Sequence, residues 1–308
     1  MRRIFGLLVS VMVVTSTLAG CAFSDPRIAG TPIPPSANPG LATQAEAAEE
    51  TQAAWQALAA LATADPATSK WAAMAETLQA QWRVLVGPDA LNRVASVTAN
   101  IGTPTTAANP EEAMATAETA LQTVRDADLE RARQSSDLTA AFWASLAAGA
   151  EQVRLGVQGD YAAAIPADLS ATIATADPAT AWSDLVCRYD EAVFALRSAL
   201  GFLGSDDSAR PTIASALTTL RSDQAALTGL SVSTTAPGCG GIYQLPPGRD
   251  RTASIDLLTT AQQSLLEATA VWLVATDDPD KAIDYLMANA TLASPLGLGA
   301  AQWPGWPD

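Results

Sequence analysis

The chain has 308 residues, 49% of them hydrophobic and 16% charged, so it has ample material for a buried core and is not disordered by composition. Lys and Arg number 17 against 32 Asp and Glu, a formal charge of -15, which repels nucleic acid and argues against a nucleic-acid partner. Histidine is absent, which excludes His-based triads, His metal ligands and imidazole proton shuttles.

The first predicted element is an address. Met1-Arg2-Arg3 is a basic start, followed by an apolar run from Ile4 to Val14 and the ending Leu18-Ala19-Gly20-Cys21. That ending resembles the bacterial lipobox, in which the cysteine receives acyl chains such as palmitate and becomes the first residue of the mature protein. Residues 1–20 therefore read as a lipoprotein signal peptide, and Cys21 as the lipidation site. The implied location is the outer face of the cell membrane, in the cell envelope, with the lipid anchor as the membrane contact. Processing removes two arginines and no acids, so the anchored body is more acidic than the precursor.

Residues 21–40 form a disordered tether. Pro26, Pro32, Pro34, Pro35 and Pro39 bar a helix, and an extended stretch of this length reaches roughly 60 Å.

From residue 41 onward alanine and leucine dominate, and the expected fold class is all-α: two up-down helical bundles, at 41–165 and 175–308. The first holds helices near 42–63, 66–86, 110–134 and 136–158. The second holds helices near 178–203, 209–229, 252–276 and 279–293. Starts are marked by Asp65-Pro66, Asn109-Pro110, Asp177-Pro178 and Asp278-Pro279, where a side-chain acceptor precedes a residue preset for the first turn. Trp71, Ala75, Leu78, Trp82 and Leu85 recur in steps of four and three, as do Trp182, Val186, Tyr189, Val193, Leu196, Leu200 and Leu203. Each set carries one longer link between its second and third helices, the arrangement of ferritin-like bundles.

The second half resembles a family of actinobacterial lipoproteins with a ferritin-like domain of unknown function, over residues 181–307. The resemblance rests on Arg188-Tyr189-Asp190-Glu191-Ala192, Arg221-Ser222-Asp223 with Leu227, Tyr243-Gln244-Leu245-Pro246, Leu266-Glu267 and the closing Trp303-Pro304-Gly305-Trp306. It implies a four-helix bundle and an envelope setting, and no activity.

Metal-binding bundles of this kind need Glu-x-x-His pairs, which a chain without histidine cannot supply. Asp190, Glu191, Asp223 and Glu267 remain as an all-oxygen possibility. Pairing with Arg188, Arg197 or Arg221 is the plainer role, so no metal, cofactor or catalytic residue is assigned. Gln224 falls in phase with Ile213, Leu217, Leu220 and Leu227 and calls for a hydrogen-bonding partner; the sharper alternative is the wall of a small polar pocket with the four acids. Cys187 and Cys239 form an even pair outside the cytoplasm and are expected to make a disulfide. Trp55, Trp71, Trp82 and Trp182 belong to apolar stripes. Trp303 and Trp306 either dock on the bundle or meet a partner, docking being favoured because exposed indoles are an aggregation liability. The expected function is a non-catalytic scaffold or protein-binding module for an unidentified envelope protein; the alternative is a binder of a small ligand or ion in a cleft within or between bundles.

Overall fold

The computed structural model describes residues 41–87, 109–159, 161–165, 173, 175–230, 239, 243, 245–246 and 248–306. The signal peptide, Cys21 and the tether lie outside them. The described residues form eight helices: α1 (Leu41–Ala64), α2 (Lys70–Val86), α3 (Pro110–Arg133), α4 (Asp137–Gln158), α5 (Pro178–Phe202), α6 (Arg210–Gly229), α7 (Arg251–Ala275) and α8 (Pro279–Thr291). The helical class expected from composition is the class observed.

Three of the four Asx-Pro starts cap as expected. Asn109 accepts from the Glu112 amide, Asp177 from the Ala179 and Thr180 amides, and Asp278 from the Lys281 amide. Asp65 does not. Its carboxylate accepts from the Thr68 side chain, the Trp71 indole at 3.1 Å and the Ala67 amide, holding a turn ahead of the second helix, which starts at Lys70 instead of residue 66. Asp250, which no proline follows, caps α7 through the Ala253 amide.

A second departure is a parallel two-stranded ribbon. β1 (Ala162–Ile165), just after α4, pairs with β2 (Gly299–Ala301), just after α8. Neither segment has the β-branched alternation that announces a strand.

Contacts between the helices set their directions. α1 runs antiparallel to α2, with Gln44 bonded to the Leu85 carbonyl, and Lys70 at the start of α2 reaches the Gly156 and Val157 carbonyls at the end of α4. In the second set, Arg210 at the start of α6 reaches the Leu200 and Leu203 carbonyls, and Trp272 of α7 meets Tyr285 of α8 edge-on.

α4 is the centre of the body. Every residue from Thr139 to Val153 is buried, which a helix achieves only when covered on all sides. α3 and α2 cover one flank, α8 and α7 the other. One apolar cluster accordingly runs from Ala47, Leu85 and Ala132 through Phe142, Trp143 and Leu146 into Leu185, Leu265 and Leu286. A second cluster, with Leu58, Leu61, Met74, Leu78 and Leu121, fills the space among the first four helices.

The tail seals the joint. Trp303 stacks on Phe142 with centroids 5.8 Å apart, and Trp306 meets the same ring edge-on at 6.3 Å. Both indoles are buried, so the docked alternative describes them. Gly305 between them has φ +87, and a Cβ there sits 2.8 Å from Ala270 Cβ, so only glycine fits. Trp71 is buried too, whereas Trp55, Trp82 and Trp182 are half-buried.

Candidate functional site

The polar residues singled out in the second half are all half-buried: Asp190 and Glu191 on α5, Asp223 and Gln224 on α6, Glu267 on α7. Gln224 finds its partner across the α5–α6 seam, donating to Asp190 Oδ1 at 2.6 Å. Arg188 donates to Glu191 at 2.8 Å and lies 3.7 Å from Asp184; the Glu267 charge also acts on it. The Asp223 carboxyl is pushed above the usual carboxylate range by burial, and its backbone carbonyl accepts from the Tyr285 hydroxyl at 3.3 Å. The Arg188–Glu191 pair is partly exposed and contributes little stability on its own.

Beside them Cys187 and Cys239 are joined at disulfide distance, with Cα atoms 5.2 Å apart. Tyr243 packs on Phe194 at 5.1 Å and directs its hydroxyl at the Cys187 carbonyl from 3.5 Å. Burial raises its pKa, and the charges of Asp190 and Glu191 add to that.

An apolar cleft lies in the second half, lined by residues including Leu196, Leu220, Leu258, Gln262, Leu292 and Leu298. None of the five polar residues lines it. Its cavity volume is about 10 Å³, at the threshold for one water molecule.

Two buried polar groupings escaped the sequence reading. The first centres on Asn289 near the end of α8. Its Oδ1 accepts from the Tyr189 hydroxyl at 3.0 Å, its Nδ2 donates to Thr269 Oγ1 at 3.1 Å, and its carbonyl accepts from Gln262 Nε2. Thr269 in turn donates to the Leu265 carbonyl at 2.6 Å, and Gln152 of α4 donates to the Ala290 carbonyl at 3.1 Å. Desolvation raises the pKa of Tyr189 strongly, with the hydrogen bond to Asn289 opposing it. The signal was present: Asn289 is in phase with Leu286 and Ala282 on an otherwise apolar face.

The second grouping lies among the first four helices. Arg131 of α3 donates to Glu50 of α1 and to Asp128 of α3, each at 2.7 Å, with its guanidinium 5.5 Å from the Trp143 ring centroid. Asp128 is fully buried and in phase with Leu121, Val124 and Ala132. Nearby, Glu151 binds Arg154 at 2.7 Å and Arg125 at 3.3 Å.

Among the described residues no group of three or more Cys, Asp or Glu side chains is placed to hold a metal ion, and no helix is long and apolar enough to cross a membrane. No family model, no curated protein and no solved structure matches the chain.

Proposed function

We propose that this chain is an envelope lipoprotein, held at the outer face of the cell membrane by acyl chains on Cys21, whose body is a non-catalytic scaffold that engages another envelope protein. The observation that carries the reading is the coincidence of Arg2-Arg3, the apolar run to Val14 and the Leu18-Ala19-Gly20-Cys21 ending in one short segment. The Cys187–Cys239 pair suits an oxidising compartment. In support of a scaffold, α4 is enclosed from Thr139 to Val153, and the described cleft in the second half accommodates about one water molecule.

We also read the body as two four-helix bundles, the second of them ferritin-like. The antiparallel pairings of α1 with α2, α2 with α4, α5 with α6 and α7 with α8 agree with an up-down-down-up order in each set.

Metabolic labelling with a palmitate analogue tests the anchor. Label and membrane retention in the natural chain, both lost in Cys21→Ala, support it; unlabelled protein in the medium overturns it. Crosslinking in intact cells, followed by mass spectrometry, tests the scaffold: reproducible crosslinks from the helical body to one envelope protein are expected, and crosslinks to none overturn that role.

A further inference from the structure

The interior charges of the first four helices do not balance. Glu50 Oε2 and Asp128 Oδ1 share a single guanidinium nitrogen, Arg131 Nη1, at 2.7 Å each. With both acids ionised the cluster carries one excess negative charge. The second oxygen of Asp128, Oδ2, is buried and accepts no hydrogen bond. An ionised carboxylate with an orphan oxygen in an apolar setting is costly, and one proton cancels both the excess charge and the unmet acceptor.

Position decides which acid takes the proton. The Asp128 side chain is 1% exposed and that of Glu50 28%, so water can stabilise the charge on Glu50 but not on Asp128.

Among the described residues, Arg131 is the cation that acts on Asp128. On α1, Glu46 and Glu49 are exposed, and Glu50 alone faces the cluster. From α4 comes the Trp143 ring, while Asp137 is exposed and Glu151 is engaged by Arg125 and Arg154. On α8, Asp284 pairs with Arg133 at 3.1 Å on the exposed side.

We propose that Asp128, Arg131 and Glu50 form a proton-operated clasp on α1. When Asp128 is protonated, Arg131 is given wholly to Glu50 and ties α1 to α3. When Asp128 is ionised, the guanidinium is divided between two carboxylates and the tie weakens. α1 therefore loosens as the proton leaves, while the helices of the second half keep their packing.

The electrostatics agree. Burial drives the Asp128 carboxyl from 3.8 up to about 7, with the Arg131 charge opposing the shift and the Glu50 charge adding to it. Burial works against the Arg131 charge, but its bonds to Glu50 and Asp128 outweigh that, so the guanidinium stays protonated. A carboxyl whose folded pKa lies above its unfolded value stabilises the fold in acid. That contribution is lost as the pH climbs from about 4 to about 7.

The test compares the full-length protein in detergent with Asp128→Asn, which mimics the neutral acid, between about pH 5 and about pH 8. Thermal unfolding of the natural chain is expected to fall by on the order of 5 °C over this range, and the variant to lose most of that slope. Hydrogen exchange, corrected for its intrinsic pH dependence, is expected to quicken selectively in α1 of the natural chain. Equal slopes in both proteins, or quickening spread evenly over all helices, overturn the proposal. If Asp128→Asn does not fold, infrared spectra of carboxyl-labelled aspartate in the natural chain decide. A protonated band persisting to neutral pH supports the clasp, and its absence above about pH 5.5 overturns it.

Discussion

Tyr189 of α5 donates its hydroxyl proton to Asn289 Oδ1 of α8 at 3.0 Å, and both side chains are fully buried. Asn289 then passes the network on to Thr269 of α7, so a single amide ties three helices together. Truncation of such a hub leaves buried partners without a bond, at about 1–3 kcal/mol each. Asn289→Ala is expected to lower the unfolding free energy by at least about 2 kcal/mol, and Tyr189→Phe by about 1–2 kcal/mol, in denaturant titrations. A loss in the double variant smaller than the sum of the two single losses identifies one connected network.

The tyrosines give an alkaline signature. The chain has four, at 161, 189, 243 and 285, and burial raises the pKa of each above 10.0, that of Tyr161 to about 12. A phenol whose folded pKa exceeds its unfolded one stabilises the fold below pH 10, and that contribution is lost as the pH rises beyond it. Phenolate absorbance is expected to lag behind that of free tyrosine above about pH 10 and to rise together with the loss of helical circular dichroism. Complete ionisation of a still-folded chain at pH 10 contradicts this.

The disulfide closes a sequence separation of 52 residues. In the chain-entropy account, a loop of that length is worth about 4 kcal/mol. Reduction, or replacement of Cys187 and Cys239 by serine, is expected to lower the thermal midpoint while leaving the helical circular dichroism at room temperature intact. An unchanged midpoint shows that the unfolded chain is already compact across that loop.

At the tail, Trp303→Ala removes the ring stacked on Phe142 and is expected to cost about 3–5 kcal/mol. Gly305→Ala adds a methyl group 2.8 Å from Ala270 Cβ at φ +87, and is expected to cost about 2 kcal/mol or more. Chemical denaturation of the two variants checks both values.

The helices and several of their caps were legible because both are local properties. Asn109, Asp177 and Asp278 each cap through an amide two or three residues ahead. Asp65 carries the same signature, but its carboxylate gathers Thr68, Trp71 and the Ala67 amide into a turn ahead of the helix, which the dipeptide does not reveal. Gln224 could be read as needing a partner, since an amide on an apolar stripe demands one. That the partner is Asp190 depends on how α5 and α6 meet, which periodicity does not encode. The same limit hid the ribbon, because its strands are short, rich in alanine and joined only by tertiary structure. Asp128 and Asn289 carried the strongest unread signal: each is a polar residue in exact phase with an apolar face.

Gln81 donates to the Gln302 carbonyl across a separation of 221 residues, and β2 pairs with a strand made long before it. During synthesis, then, the apolar flank of Phe142 waits bare until the closing tryptophans emerge. Closure of this contact therefore waits on a stretch synthesised well after α4. A nascent polypeptide stalled before Trp303 has its helices but not the plug that excludes water from their meeting point.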